Sequence, residues 1–203
     1  MVEILIEHVT DEKNARAMLE VRRQVFEREM GIRLAPDGAR GDGKISNLVA
    51  RIYPSRQAVG TLSVIDTSGD EQLHEGHNLG FAPGARAARF THLAVLRPFR
   101  GMNIPLVMML EAHRLFVAPR RYDYTWLLFD AERAPTSFLT RLLGFTPKAD
   151  IFVSEYGRRC PLVRDERAEG AAQALRLAEQ FLKQSGALYA PAPAADTLCA
   201  LSA

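Results

Sequence analysis

The chain has 203 residues, of which 47% are hydrophobic and 25% charged, and its formal net charge is +2. These values describe a globular domain large enough to bury a core without disulfides or metal, and they exclude collagen, coiled coil and wholesale disorder. Apolar runs fall short of the roughly 20 residues that span a bilayer, and Met1 to His8 lacks the basic and long apolar regions of a secretory signal. Two cysteines, Cys160 and Cys199, are too few for a disulfide framework, so the expected setting is a reducing cytoplasm.

The charge is unevenly built: 22 of the 26 basic residues are arginine. Arginine meets phosphate and carboxylate bidentately and tolerates desolvation better than lysine, which suits an anionic cofactor or an acidic partner. Acidic residues are scattered among the arginines and no basic block stands alone, so a nucleic-acid partner is not expected.

Glu3 to Val9 alternates as a short strand. Thr10 or Asp11 caps a helix that Ala17, Leu19, Val21, Val25 and Phe26 carry to about Met30, where Gly31 stops it. Pro36 to Gly43 reads as loop. Asn47 to Tyr53 and Ala58 to Asp66 read as a hairpin around Pro54 to Gln57. Thr67 to Gly84 reads as a polar loop, and its histidines His74 and His77, too closely spaced for a zinc helix, read as solvated; no metal is expected.

Ala88 to Leu96 reads as a strand, Arg97 to Asn103 as a turn, and Ile104 to Val117 as a helix with Leu106, Leu110, His113 and Val117 on its apolar face. His113, Phe26, Phe90 and Phe129 are read as core. Tyr124 to Phe129 is a strand and Pro135 to Leu143 a short helix ended by Gly144. Phe145 to Val153 and Arg159 to Val163 read as a hairpin around Tyr156 and Gly157. Arg167 to Gln184 is a helix with Ala171, Leu175, Ala178 and Leu182 along one stripe, which must cover its own sheet or a second subunit in a homodimer. The order predicts a mixed α/β (α+β) fold with a largely antiparallel sheet, one domain over residues 1–186, and a flexible or docking tail over 187–203.

A turn that ends a strand and opens a helix gathers unpaired N–H groups where the helix dipole is positive, a natural phosphate cradle. Arg97 and Arg100 flank the turn here. The stretch Thr91-His92-Leu93-Ala94-Val95-Leu96-Arg97-Pro98-Phe99-Arg100-Gly101-Met102-Asn103-Ile104 resembles the central motif of the GCN5-related N-acetyltransferases. Phe138 to Phe145 is similar to that family's helix ending in Gly-Phe. Arg22 to Glu29 resembles the R-x-x-V-F-x-x-E start shared with the autoinducer and N-acyl amino acid synthases. The resemblance covers residues 2–163. The extra C-terminal helix lies beyond it.

The resemblance implies an acyl thioester, acetyl-CoA or another acyl-CoA, held beside strand 88–96. Backbone groups of Leu93, Ala94 and Val95 would hold the pantetheine amides. Arg100 and the amides of Gly101, Met102, Asn103 and Ile104 would hold the pyrophosphate, or the phosphopantetheine phosphate of an acyl carrier protein. A small-molecule amine would then attack the thioester directly, with no metal. The family's loop glycines fall on Asn103 and Pro105, its usual acid tyrosine falls on Thr140, and the aromatic usual in autoinducer synthases is Ile32. Three outcomes stay open: the thiolate leaves with solvent help, Tyr156 or Tyr124 substitutes as the acid, or the protein does not catalyse. The candidate bases are His92, which points away from Leu93 and Val95 and whose ordinary pKa suits proton uptake near neutrality, Glu29 at the end of the first helix, and Asp42 in the loop beyond. Three functions are carried forward: N-acylation of an amine from acyl-CoA, a carrier-protein-dependent acyl-homoserine-lactone or N-acyl amino acid synthase, and a degenerate fold that binds CoA or a partner without catalysis.

Overall fold

A computed structural model describes residues 3–34, 44–132, 136–148, 151–154, 157–186 and 188–190. In chain order the elements are β1 Glu3–His8, α1 Glu12–Arg22, β2 Ile45–Tyr53, β3 Gln57–Asp66, α2 Glu71–Gly76, β4 Ala87–Val95, α3 Ile104–Ala112, α4 Ala118–Arg120, β5 Tyr124–Asp130, α5 Thr136–Leu143, β6 Thr146–Pro147, β7 Phe152–Ser154, β8 Gly157–Asp165, α6 Glu169–Gln184 and β9 Leu188–Ala190. The strands form one sheet in the order β6-β8-β5-β4-β3-β2-β1-β9, with β7 also paired to β8. Pairing is antiparallel except for β4 with β5 and β1 with β9. The mixed, largely antiparallel fold expected from the element order is therefore present.

The sheet is covered unequally. On the α3 face, α3, α5 and α6 close over one continuous core containing Leu48, Leu62, Phe90, Met108, Leu143, Phe145, Leu162, Ala178 and Leu182. The single stripe expected for α3 is too narrow a description, since eight of the nine residues Ile104–Ala112 are buried, all but Pro105. A helix apolar all round is one wrapped on all sides. It reaches the sheet at Gly60, where an added Cβ would lie 3.0 Å from Ile104 Cγ2 and 3.2 Å from Met108 Sδ. The stripe of α6 is buried within the chain, against α5 and α3, rather than laid directly on the sheet: Ala171, Ala174, Ala178 and Leu182 are buried and Leu175 packs partly against the core.

The opposite face lies under α1 and α2. The Asp11 side chain caps α1 by accepting from the Asn14 N–H at 2.7 Å. The helix continues as a π-helical segment, Arg23–Glu29, before Gly31 turns the chain at φ +69. The loop expected over 67–84 holds the short helix α2, whose N-cap Asp70 accepts from Leu73 N. Nor are its histidines solvated. His74 is buried and bonds Thr67 Oγ1, and His77 lies against Trp126 and Phe152 at 5.4 and 5.5 Å between ring centroids. The α3 helix also continues beyond Ala112 through the π-helical segment His113–Val117 into α4. His113 is there half-buried and paired with Glu166 rather than set in the apolar core. The expected final hairpin is divided: β6 pairs the inner part of β8 and β7 its outer part. Of the residues assigned to the tail, 188–190 form the edge strand β9 along β1.

Candidate active site

The pairing of β4 with β5 is short. It runs from Ala87↔Tyr124 to Phe90↔Leu127 and stops, although β4 continues to Val95 and β5 to Asp130. The two parallel strands thus splay, leaving backbone N–H and C=O groups of both facing a gap. A bulge sets the departure: the β3–β4 register passes from Ser63↔Thr91 to Thr61↔Ala94, so Leu62 faces both His92 and Leu93. His92 takes the left-handed conformation, φ +51, that lets the strand gain the extra residue. Leu93 is left 36% exposed beside the gap. The bulge also changes which residues share a face. Phe90 and Val95 join the α3-face core, whereas Ala94 and Leu96 pack under α1 with Val21 and Val25.

His92 projects to the α1 face, its ring edge-on to Phe26. Its Nδ1 lies 3.4 Å from Ser63 Oγ, and Thr61 Oγ1 donates to its carbonyl at 3.0 Å. Ser63 Oγ donates to Asn47 Oδ1 at 2.5 Å, and both oxygens accept from Arg22 Nη2, at 2.6 and 3.0 Å. With the serine proton committed to Asn47, Nδ1 must be the donor to Ser63, which leaves the lone pair on Nε2. Arg22 is 2% exposed, and burial lowers its pKa to about 10. Burial, together with the charges of Arg22 and Arg89, lowers the His92 pKa to about 4. The proton affinity near neutrality assumed from the sequence is therefore not that of His92 in the fold. His92 is a neutral imidazole there.

The turn after β4 brings Arg100 and Glu29 together. Arg100 Nε donates to the Val95 carbonyl at 2.9 Å and Nη2 to Glu29 Oε2 at 2.5 Å. This pair ties the end of the first helix to the turn, so both side chains, read separately from the sequence as phosphate ligand and base, hold each other. Gly101 at φ +99 and Asn103 at φ +58 bend the chain into α3. Asparagine tolerates that left-handed conformation, which explains how it stands where the related loops carry glycine. The first amides of a helix have no intrahelical partner. Here Met102 N makes a long bond of 3.4 Å to Phe99 O, and Pro105 contributes no N–H. Asn103 Nδ2 reaches Ser185 Oγ at 3.4 Å, so the C-terminal end of α6 stands beside this cradle.

The splay therefore gathers Leu93, Ala94, Val95, His92, Glu29 and the 101–104 turn at one end of β4. Tyr124 does not belong with them. It begins β5 at the paired end, stacked on Phe81 and bonded to Arg167. Asp42 and Tyr156 lie outside the described residues. Sequence reasoning passed over Arg22 as a site residue, although it quoted the motif that contains it, and it passed over Arg89, Ser63 and Asn47. For Arg22 that motif was the available signal, whereas Arg89, Ser63 and Asn47 carried none. Among the described residues, no group of His, Cys, Asp and Glu is placed to hold a metal, and no helix is long and apolar enough to cross a membrane.

No protein-family model matches the chain and no curated protein matches it in sequence. Solved structures do match in fold. A CoA-dependent acyl-homoserine lactone synthase, BjaI, solved with SAM and isopentyl-CoA, superimposes with a TM-score of 0.64 at 15% identity, over 96% of this chain and 93% of that one. FeeM, an N-acyl amino acid synthase from uncultured soil microbes, gives 0.63 at 12% identity, over 81% and 92%. An acyl-CoA N-acyltransferase from Pseudomonas aeruginosa gives 0.56 at 17% identity, over 81% and 99%. What is shared at these identities is the fold, which is that of the GCN5-related N-acetyltransferases.

Proposed function

We propose that the chain is an N-acyltransferase that moves an acyl group from acyl-CoA to an amine. The observation that carries this reading is the break in β4–β5 pairing after Phe90↔Leu127, with the N-terminus of α3 just beyond the end of β4. An extended pantetheine arm can bond the unpaired edge of β4 over Leu93 to Val95, and the amides of 101–104 can meet the pyrophosphate. Arg100 acts there through the turn it braces.

In the reaction the amine nitrogen attacks the thioester carbon, the C–N bond forms, the C–S bond breaks, and the thiolate of CoA leaves. The amine proton passes to His92 Nε2, directly or through one water, and from there to the thiolate or solvent. Acyl-CoA is the co-substrate and the scheme draws on no metal. Thiol release from acetyl-CoA, a medium-chain acyl-CoA and an acyl carrier protein thioester, across a panel of amines, tests the reading. Absence of release from every donor leaves the non-catalytic CoA-binding alternative.

One observation favours the synthase branch as a second reading. The match to BjaI extends over 96% of this chain, against 81% for the acyl-CoA N-acyltransferase. Saturation with acyl-CoA at lower concentration than with the carrier-protein thioester would assign the donor.

A further inference from the structure

The α1 face carries two separate apolar clusters. One, with Val21, Val25, Ala94 and Leu96, lies under the first helix; the other, with Leu79, Ala87, Trp126 and Val163, lies under α2 and its flanking loop. Between Ala87 and Ala94 of β4, the side chains on this face are polar, Arg89 and His92 among them. Arg89 is half-buried and its guanidinium sits 4.8 Å above the Trp126 ring. Its Nε is buried without a hydrogen-bond partner. Burial alone accounts for its lowered pKa, with no carboxylate among the causes.

Three other sequestered arginines are met by acids, Arg51 by Glu7, Arg159 by Asp130 and Arg164 by Glu166, while Arg22 donates to the neutral oxygens of Ser63 and Asn47. Removing a guanidinium from water without an anion is unfavourable. The charge of Arg89 reaches both neighbouring histidines, His77 and His92, and helps to keep each neutral. The donor phosphates do not account for this cation. Arg89 pairs in register with Trp126 in the closed part of β4–β5, whereas the phosphate cradle follows the opposite end of β4.

We infer that Arg89, held over Trp126, binds a carboxylate of the acceptor, so that the amine substrate is an amino acid rather than a simple amine. The assignment of the bound molecule as acceptor rests on the acyltransfer reading. A guanidinium lying over an indole, its Nε buried, keeps its terminal Nη groups for a planar carboxylate, which they can meet bidentately. Three residues of strand, roughly 10 Å, separate Arg89 from His92, a gap that an amino acid and the two side chains together span. The bound carboxylate offsets the positive charge beside His92 and raises its proton affinity, so the base is restored when the correct acceptor arrives.

Trp126 is the single tryptophan of the chain, so its fluorescence reports on this site directly. The experiment titrates the full chain with each of the twenty amino acids, their carboxamides and inorganic phosphate, in wild type, Arg89→Gln and Arg89→Lys. Thermal melting confirms that each variant is folded. At least one amino acid should change Trp126 emission saturably in wild type, its carboxamide at least about tenfold more weakly. Arg89→Gln should remove that difference and Arg89→Lys should keep part of it. The inference is overturned if no amino acid perturbs Trp126, if acid and amide act alike, if phosphate matches the best acid, or if Arg89→Gln retains the discrimination. In thiol-release assays the same acid should be preferred over its amide. A fluorescence response without thiol release keeps the carboxylate site and overturns the acyltransfer reading alone.

Discussion

The two faces of the sheet differ in what they bury. The α3 face holds one unbroken apolar core in which α3, α5 and α6 interlock, with Met108 and Leu182 fully inaccessible. The α1 face splits its apolar residues into two small clusters and sets Arg22, Asn47, Ser63, Arg89 and His92 in or between them. The first arrangement supplies stability. The second places charged and hydrogen-bonding groups in sites where their interactions are strong and where water is scarce, at some expense of stability. A sheet that must both hold a fold together and open a cleft between β4 and β5 can divide those tasks between its sides.

The largest expected effect tests the division on the core side. Met108→Ala should lower unfolding free energy by about 2–5 kcal/mol, read by urea denaturation, with CoA affinity per folded molecule unchanged. A small loss would mean that the α3 face is not the main source of stability.

On the other face the expected effect is on rate. General-base assistance is typically worth about 10²–10⁴-fold, so His92→Ala should reduce kcat/KM at least about tenfold while CoA affinity stays the same. His92→Gln should restore melting temperature without restoring rate. Turnover per folded molecule equal to wild type would return His92 to a structural role, with Glu29, held by Arg100, and Asp42 as the remaining candidates.

The same residue ties the α1 face to pH. The folded pKa of His92 is about 4, against an ordinary 6.5. Between those values the unfolded chain binds a proton that the folded chain refuses, so stability falls as pH drops from 6.5 toward 4. His8, His74 and His77, also lowered by burial, act in the same direction. His92→Gln should therefore lose less stability on acidification than wild type in thermal melts at pH 7 and pH 4.5. Parallel losses in the two proteins would mean that His92 is not held neutral by its surroundings.

The smallest effect concerns the cradle, which belongs to neither face. Pro105→Ala adds one N–H to the first turn of α3. A hydrogen bond to a charged acceptor contributes about 1.5–3 kcal/mol, so CoA should bind about tenfold more tightly by calorimetry. Unchanged affinity would place the phosphates away from residues 101–104.

Local physics made much of this legible. Asp11, Gly31 and Gly144 mark helix ends through capping and left-handed backbone, which depend on a few neighbouring residues. The crossover from β4 through α3 to β5, and the turn at its start, were readable from the apolar periodicity and the motif around Arg100. Three features were not readable. The bulge at His92 depends on β3 register, because one residue of β3 must face two of β4. The Arg100–Glu29 pair joins residues 71 positions apart. Arg89 looks like any polar residue of a half-buried strand until Trp126 is brought beneath it.

The amino-acid sequence by itself determined the order of the main strands and helices, the mixed α/β class and the strand–turn–helix that can receive a phosphate, since each follows from spacing within a short window. Tertiary structure alone decided the proton affinity of His92, the mutual engagement of Arg100 and Glu29, and the placing of Arg89 over Trp126 with no carboxylate paired to it among the described residues. These are properties of burial and of charges brought close from distant parts of the chain, and desolvation and Coulomb energy are set by distance in space rather than by separation in sequence.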